Sequence, residues 1–205
     1  TRVVIALSGD VGLYSGARGL LKALNGKAEV ICGISSVVYF MSRIGLSWDD
    51  AKIVSAHGRA CNLVSLIRTN QKVFAILGTT DGAGQLAQKL TNYGMGDVKL
   101  YIGENLSYNT EKIFMRTAKE LTDYTGDSLS VICAVNPGAK EALTTHGLPD
   151  DAFIRGKAPM TKTEVRTVSL AKLCLSEDSV CYDIGAGTGS VSVEMALRAS
   201  QGEIY

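Results

Sequence analysis

The strongest constraint on the fold is an alternation that repeats along the chain: a short β-branched run, a turn containing glycine, and a stretch with apolar residues at helical spacing. Residues 2–7 (RVVIAL) have the character of a buried strand, and residues 15–24 carry apolar side chains every three or four positions. This alternation is typical of an α/β fold. Strands are predicted over residues 2–7, 28–31, 52–55, 72–77, 98–102 and 129–135, and helices over residues 15–24, 35–44, 60–68, 82–93 and 111–122.

The pattern stops and restarts once. All three prolines of the chain fall within residues 136–162, where apolar periodicity is weak, so this segment is predicted to be a linker. It separates a first α/β unit at residues 1–135 from a second unit at residues 163–205. In the second unit we predict a helix at 163–173, a strand at 179–184, a helix at 190–199 and the start of a strand at 203–205.

Both ends of the chain have strand-like sequence, and the first residue is Thr1 rather than Met. We therefore expect the chain to be a piece of a longer gene product, cut at both ends.

Composition excludes several classes of protein. Hydrophobic residues make up 46% of the chain and charged residues 20%, which is enough for a packed core and excludes intrinsic disorder. The net charge of +1, without basic clusters, argues against a nucleic-acid partner. Apolar runs such as residues 3–7 are far shorter than the roughly 20 residues that span a bilayer, so no membrane partner is expected.

The cysteines indicate a reducing compartment. There are five, an odd number, and no CxxC pair occurs, so neither a disulfide framework nor a zinc site is favoured. Cys32, Cys133 and Cys181 lie in or beside apolar runs and are predicted to be buried thiols, which fits a cytoplasmic protein. The two histidines are far apart in sequence, so no metal site is predicted.

A glycine-rich loop gives the sharpest local signal. Asp183 ends a predicted strand, glycines follow at alternate positions from Gly185 to Gly189, and a helix then begins. Glycines let backbone amides approach a ligand closely, and the helix start favours negative charge. A dinucleotide fingerprint would need a third glycine where Ser190 stands. The acid two positions before GxGxG resembles motif I of the Rossmann-like methyltransferases that bind S-adenosylmethionine (SAM). The loop alone does not separate SAM from a nucleotide, or either from a plain turn.

Two further loops follow strands in the first unit. They are residues 8–15 (SGDVGLYS) and residues 32–37 (CGISSV). Both have the form strand, tight glycine turn, helix start, and would lie at the carboxyl edge of a parallel sheet, where open α/β folds bind ligands. The serines of the second loop are also suitable helix caps, and Asp10 is a suitable turn residue.

Together these loops resemble the tetrapyrrole methylase family, which carries a GDPxxY-like loop and a PGISS-like loop. Val11 and Cys32 stand where the family has proline. Residues 35–59 and 103–107 (GENLS) narrow the resemblance to the branch that methylates precorrin-6Y, metal-free or with cobalt. In that branch the methylase is often fused to a second SAM-dependent unit that also decarboxylates. The fused unit opens with a PMTK-like segment, found here at residues 159–162, followed by a GxGTG loop.

The resemblance implies a two-lobed methylase unit, with lobes at about 1–57 and 62–135, followed by the start of a Rossmann-like SAM methyltransferase domain. It implies SAM as cofactor, no metal, and dimer formation. The residues expected to hold SAM are Gly9, Asp10, Leu13, Ser35 and Ser36 in the first lobe, Leu77, Gly78 and Leu106 in the second lobe, and Thr161, Gly185, Ala186, Gly187, Thr188 and Gly189 in the second unit.

The implied substrate is a precorrin, methylated on ring carbons in cobalamin biosynthesis, with a second methylation and an acetate decarboxylation by the second unit. Its carboxylates could pair with Arg43, Arg59 and Lys162, although for each of these residues alone a solvated charge is the favoured interpretation. His57 is a candidate for proton removal after methylation, or a turn histidine without that role. Two other readings remain open: an NAD-linked oxidoreductase that uses the GAGTGS loop, and a non-catalytic tetrapyrrole-binding module.

Overall fold

A computed structural model of the chain describes residues 3–58, 61–79, 82–140 and 147–205. The chain divides into two compact units, Thr1–Ala139 and Lys140–Tyr205. The α/β class predicted from the sequence is confirmed. No helix in the described part of the chain is long and apolar enough to cross a membrane.

The first unit is built on one five-stranded sheet with the order β1-β2-β5-β3-β4. Strand β1 is parallel to β2, and β5 runs antiparallel to both β2 and β3. Strands β1, β2 and β3 therefore run in the same direction, and their carboxyl ends meet at one edge of the sheet. The elements are α1 (Ala17–Ala23), α2 (Ser36–Ile44), β1 (Lys52–Ser55), α3 (Leu63–Thr69), β2 (Lys72–Ile76), α4 (Gly82–Asn92), β3 (Lys99–Glu104), β4 (Lys112–Thr117), a 3-10 helix (Ala118–Leu121) and β5 (Ser130–Val135).

Both faces of this sheet are covered, which explains why its central strands are almost wholly apolar. Alternate residues of a strand point to opposite faces. On β2, Val73 and Ala75 pack with α3, α4 and the 3-10 helix, whereas Phe74 packs with α2 on the other face. The Phe40 and Phe74 rings lie 6.2 Å apart and fix α2 against the sheet. The amino end of α2, and the loop that leads into it, are thereby held close to the sheet.

The described residues of the second unit, 147–205, form a 3-10 helix, two α-helices and a short parallel pair of strands. Strand β6 pairs with β7 through Val180 and Glu203 and through Cys181 and Ile204. The glycine loop predicted from the sequence connects β6 to the second of the α-helices. The elements are a 3-10 helix (Asp150–Ala152), α5 (Thr163–Leu173), β6 (Val180–Cys181), α6 (Ser190–Arg198) and β7 (Glu203–Ile204).

Three predicted elements of the first unit differ from the structure. Residues 3–7 and 28–31 form no strand, and Val4 and Ile31 are 91% and 83% exposed. A strand is stabilised by a hydrogen-bonded neighbour, and these runs have none among the described residues. The predicted helix at 111–122 is instead β4 followed by the 3-10 helix. Its backbone pairs with all of β3, from Lys99 opposite Thr117 to Glu104 opposite Lys112. Tertiary pairing has overridden local helical spacing there.

The predicted linker also differs. Its second half, residues 147–162, contains the 3-10 helix and packs within the second unit, where the backbone N–H groups of Gly147 and Leu148 donate to Glu194. The prolines of residues 136–162 indicate that regular helices and strands are interrupted there, but they do not indicate that the segment lacks tertiary contacts. In the first unit, β1 pairs with β2, so the predicted lobe boundary near residue 57 does not interrupt the sheet.

Candidate functional site

The two loops of the first unit lie directly against each other. A Cβ atom built on Gly33 would be 2.3 Å from the carbonyl oxygen of Gly9, so only a residue without a side chain permits this approach. Gly9 itself has a φ of +73°, which favours glycine. We call residues 8–13 the first bend and residues 33–36 the second bend. The sequence predicted that each bend follows a strand at the carboxyl edge of a sheet. Residues 3–7 and 28–31 form no strand, but the two bends are in contact.

Within the bends, polar side chains serve local geometry. Asp10 Oδ1 accepts the backbone N–H of Gly12 at 2.7 Å, which closes the first bend. Ser35 Oγ accepts the N–H of Val38 at 3.3 Å and so caps α2, of which Ser36 is the first residue. The turn and cap roles considered for Asp10 and Ser35 are therefore present. Ligand contacts made by the bends would come largely from their backbone.

Three leucines predicted at the site direct their side chains into the core. Leu77 is 4% exposed, and its backbone N–H donates to the Ser130 carbonyl at 2.9 Å. Leu13 and Leu106 both pack against the apolar cluster between α2 and the sheet. That shared cluster fixes the first bend and the loop after β3 relative to one sheet face.

His57 and Gly78 meet at the carboxyl ends of β1 and β2. A Cβ on Gly78 would lie 2.5 Å from Nδ1 of His57, so the glycine backbone lies flat against the imidazole. A cavity of about 260 Å³ opens beside this pair. Its walls include Gly12 of the first bend and Arg18 of α1. Sequence reasoning did not single out Arg18, although a cation in the first turn of the helix after a candidate ligand loop was an available signal.

Arg43 is already paired within the chain. Its guanidinium lies 3.1 Å from Glu111 Oε1 and donates to the hydroxyl of Tyr39, which in turn donates to Glu111 at 2.8 Å. The Ser107 N–H, the Tyr39 hydroxyl and Arg43 together hold the pKa of Glu111 below its ordinary value. The network ties α2 to the loop between β3 and β4. Arg59, the second predicted carboxylate partner, lies outside the described residues.

The glycine loop of the second unit is open to solvent. Gly185, Gly187 and Gly189 have φ values of +82°, +58° and +72°, the left-handed region that other residues rarely adopt. Residues 184–187 are exposed, and a Cβ on Gly187 would be 3.4 Å from the Pro159 carbonyl. The loop thus lies beside the PMTK segment. Thr188 completes the loop, and the Gly189 N–H donates to the Ala186 carbonyl at 2.8 Å.

A buried arginine that sequence reasoning missed organises this segment. Arg166 is fully buried, and its Nε lies 2.6 Å from Glu194 Oε1. Its other nitrogens donate to the carbonyls of Leu148 and Thr161. Thr161, predicted to hold SAM, is thereby fixed to α5 and α6. No periodicity distinguishes Arg166 from a surface residue of a helix, so its role emerges only from the tertiary structure.

Lys162, the third predicted carboxylate partner, is also engaged. Its Nζ lies 3.4 Å from Asp150 Oδ2. The hydroxyl of Thr163, Lys162 and Arg166 hold the pKa of Asp150 below its ordinary value. Asp150 thus links the 3-10 helix to the start of α5.

This arrangement predicts a pH-dependent stability. Because the folded-state pKa is lowered, the contribution of Asp150 is complete above the unfolded value of about 4 and is lost as the pH falls through the folded value. We expect Asp150→Asn to lower the melting temperature of the second unit at pH 7, and the gap from the unsubstituted chain to shrink towards about pH 3. Circular dichroism melts check this, with the exposed neighbour Asp151→Asn as control. A difference in melting temperature that stays constant with pH would contradict the prediction that the ionised carboxylate of Asp150 stabilises the unit.

Comparison with known proteins identifies the class. Residues 1–122 match the family of tetrapyrrole (corrin/porphyrin) methylases, and residues 151–204 match the precorrin methyltransferase domain. The chain therefore belongs to the tetrapyrrole methylase family, which confirms the resemblance predicted from the sequence.

Individual relatives of the chain carry the names of particular precorrin methyltransferases. The chain is 30% identical over 202 residues to a precorrin-6Y C(5,15)-methyltransferase (decarboxylating) of Sinorhizobium sp., covering 95% of this chain and 48% of that protein. It is 31% identical over 146 residues to a probable cobalt-precorrin-7 C(5)-methyltransferase of Methanocaldococcus jannaschii, covering 68% and 67%. A 59-residue stretch is 54% identical to a probable cobalt-precorrin-6B C(15)-methyltransferase (decarboxylating) of Pyrobaculum calidifontis, covering 28% and 30%. The chain spans about half the length of the first of these relatives.

Proposed function

We propose that the chain is a SAM-dependent C-methyltransferase that acts on ring carbons of a precorrin of the precorrin-6Y type in cobalamin biosynthesis. The first unit methylates one carbon, and the second unit contributes to a second methylation linked to decarboxylation of an acetate arm. The observation that carries this proposal is the contact of the two bends, with Gly33 against the Gly9 carbonyl, beside a cavity at the carboxyl edge of the sheet. Family membership and the names of the relatives support the choice of reaction.

The described residues fit SAM as the methyl donor. Gly9 and Gly33 are exposed where the bends meet, and Gly78 packs against His57 with no room for a side chain. In the second unit the exposed glycine loop offers a similar surface next to Pro159. Peptide groups without side chains suit a ligand that must lie close to the chain.

Chemically, the reaction needs alignment more than a strong base. SAM, when bound, supplies a methyl group on a sulfonium centre as the electrophile, and the electron-rich ring carbon of the tetrapyrrole is the nucleophile. The residues of the two bends would hold the donor in a fixed position, and the core leucines behind them would keep that position rigid. Orientation of two reactants can supply roughly 7–11 kcal/mol of barrier reduction.

Mass spectrometry of precorrin-6Y incubated with SAM and this chain tests the proposal. We expect a product that has gained one methyl group, or two methyl groups with loss of carbon dioxide, and no change when S-adenosylhomocysteine (SAH) replaces SAM. An unchanged mass in a sample where precorrin binding is detected would contradict the enzymatic proposal and favour a tetrapyrrole-binding module. Conversion dependent on NAD instead of SAM would favour an oxidoreductase.

A cytoplasmic location is part of the same proposal. It is supported by the five cysteines, all of which are free thiols. Of the three predicted to be buried, Cys133 is buried, whereas Cys181 is half-buried and Cys32 is exposed, because the strand predicted beside Cys32 does not form. Burial raises the pKa of the Cys133 thiol to about 12, which keeps it in the unreactive protonated form. Self-association stays a prediction from the family resemblance.

A further inference from the structure

The cavity beside the first bend has the size and lining of a subsite, not of a whole ligand cleft. At about 260 Å³ it is smaller than the roughly 300–1,000 Å³ of a cleft that holds a whole drug-sized ligand, which suits a short polar arm. Tyr14, Ser15 and Arg18 line one side, and Ser55, His57 and Ile76 line the other. A cation and an imidazole thus share one small, largely polar space.

Arg18 differs from Arg43 and Lys162, the two cations proposed for carboxylate binding that lie among the described residues. Arg43 is held by Glu111 and Lys162 by Asp150, so both cations already have a carboxylate partner. Within the described ranges, none of the ion pairs involves Arg18. A guanidinium without an acidic partner, on the wall of a cavity, is suited to bind a carboxylate with two parallel hydrogen bonds.

The chain before Arg18 is held in a specific conformation. Tyr14 has a φ of +47°, which is uncommon for a large side chain. Its hydroxyl donates to the Ile53 carbonyl at 3.3 Å and ties the segment to β1. Ser15 Oγ then accepts the N–H of Ala17 at 3.2 Å. These contacts fix the direction in which α1 leaves the first bend, and so fix where Arg18 begins.

The opposite wall is equally defined. The backbone N–H of His57 donates to Ser55 Oγ at 3.3 Å, and Gly78 gives the imidazole room that any side chain would fill. The histidine is therefore placed by its surroundings at the cavity.

We propose that Arg18 and His57 form a carboxylate-binding subsite next to the first bend. The inference rests on the proposed function, because that function supplies two ligands with carboxylates: the methionine moiety of the methyl donor and the acetate or propionate arms of the tetrapyrrole. Arg18 provides the charge-assisted pair, and the imidazole N–H provides a second donor. The methyl donor and the tetrapyrrole would each present a carboxylate at this position, and binding measurements distinguish between these two ligands.

The test compares Arg18→Gln with Lys22→Gln, an exposed cation on the same helix outside the cavity lining. Hydrogen exchange in residues 8–13, which report on the first unit alone, measures the affinity for SAH and for 5′-methylthioadenosine, which lacks the amino-acid carboxylate. Fluorescence measures the affinity for uroporphyrin III, which carries eight carboxylates. A charge-assisted hydrogen bond contributes enough that we expect Arg18→Gln to weaken one carboxylate ligand about tenfold or more, with Lys22→Gln unchanged. Arg18→Lys, which keeps the charge, should recover part of the loss.

The pattern of losses identifies the source. Weaker SAH with unchanged 5′-methylthioadenosine and uroporphyrin III assigns the subsite to the donor, and weaker uroporphyrin III with unchanged SAH assigns it to the tetrapyrrole. Unchanged affinity of Arg18→Gln for both ligands overturns the subsite and leaves the proposed function standing. Uroporphyrin III binding that depends on Arg18, in a chain without SAH affinity, overturns the proposed function and leaves the subsite. A chain that binds neither ligand overturns both.

Discussion

Replacement of Arg166 by methionine is expected to destabilise the second unit by about 3–5 kcal/mol, because removal of one partner leaves a buried charge uncompensated. Arg166 and Glu194 are 0% and 1% exposed, and their side chains lie 2.6 Å apart. In the variant, the donors left to Glu194 among the described residues would be the N–H groups of Gly147 and Leu148. The carbonyls of Leu148 and Thr161 would each lose the arginine as a donor. A loss of this size is large against the total stability of a small unit.

Hydrogen exchange followed by mass spectrometry measures this loss of stability separately in each of the two units. We expect faster exchange throughout residues 147–205 in Arg166→Met, with residues 61–79 and 82–139 unchanged. Lys172→Met, an exposed position on the same helix, is the matched control and should exchange as the unsubstituted chain does. Equal exchange in Arg166→Met and the control would mean that the buried pair does not hold the segment before α5.

Gly33→Ala is expected to weaken SAH binding at the bends by about tenfold, the effect of losing one hydrogen bond of ~1–1.5 kcal/mol between the bends and the ligand. The new Cβ would lie 2.3 Å from the Gly9 carbonyl oxygen, and both are backbone-fixed, so the bends must separate. Gly19→Ala is the control, since its Cβ meets no atom within 4 Å. The readout is the SAH concentration that slows exchange in residues 8–13, because this segment reports on the first unit alone. If both variants needed the same SAH concentration to slow exchange, the contact between the bends would not be part of the SAH-binding site.

Several helices and strands of the first unit were predictable because the apolar positions in their sequences are the positions that the structure buries. Strand β2 has the apolar character of a strand covered on both faces, and α2 ends at Gly45 in the left-handed conformation that glycine favours. The helices that follow the two bends were predictable from their apolar spacing, whereas the strands predicted before the bends do not form at residues 3–7 and 28–31. The order of the strands, with β5 between β2 and β3, has no local signal.

What the sequence did not reveal depends on distant partners. Residues 112–117 have helical spacing by themselves, and only β3 makes them a strand. Arg43 and Lys162 were candidates for binding substrate carboxylates, and only the structure shows that Glu111 and Asp150 already pair with them. Arg166 and Arg18 both lie near the start of a helix, yet Arg166 is buried in an ion pair and Arg18 lines a cavity. Spacing along one helix cannot separate these cases.

The most direct test of the central claim is exchange of the unsubstituted chain with saturating SAH, and separately with NAD. A donor that lies across both bends should slow exchange in residues 8–13 and in residues 33–36 together, with SAH and not with NAD. Protection by NAD alone, or SAH binding that leaves both segments unchanged, would contradict the account.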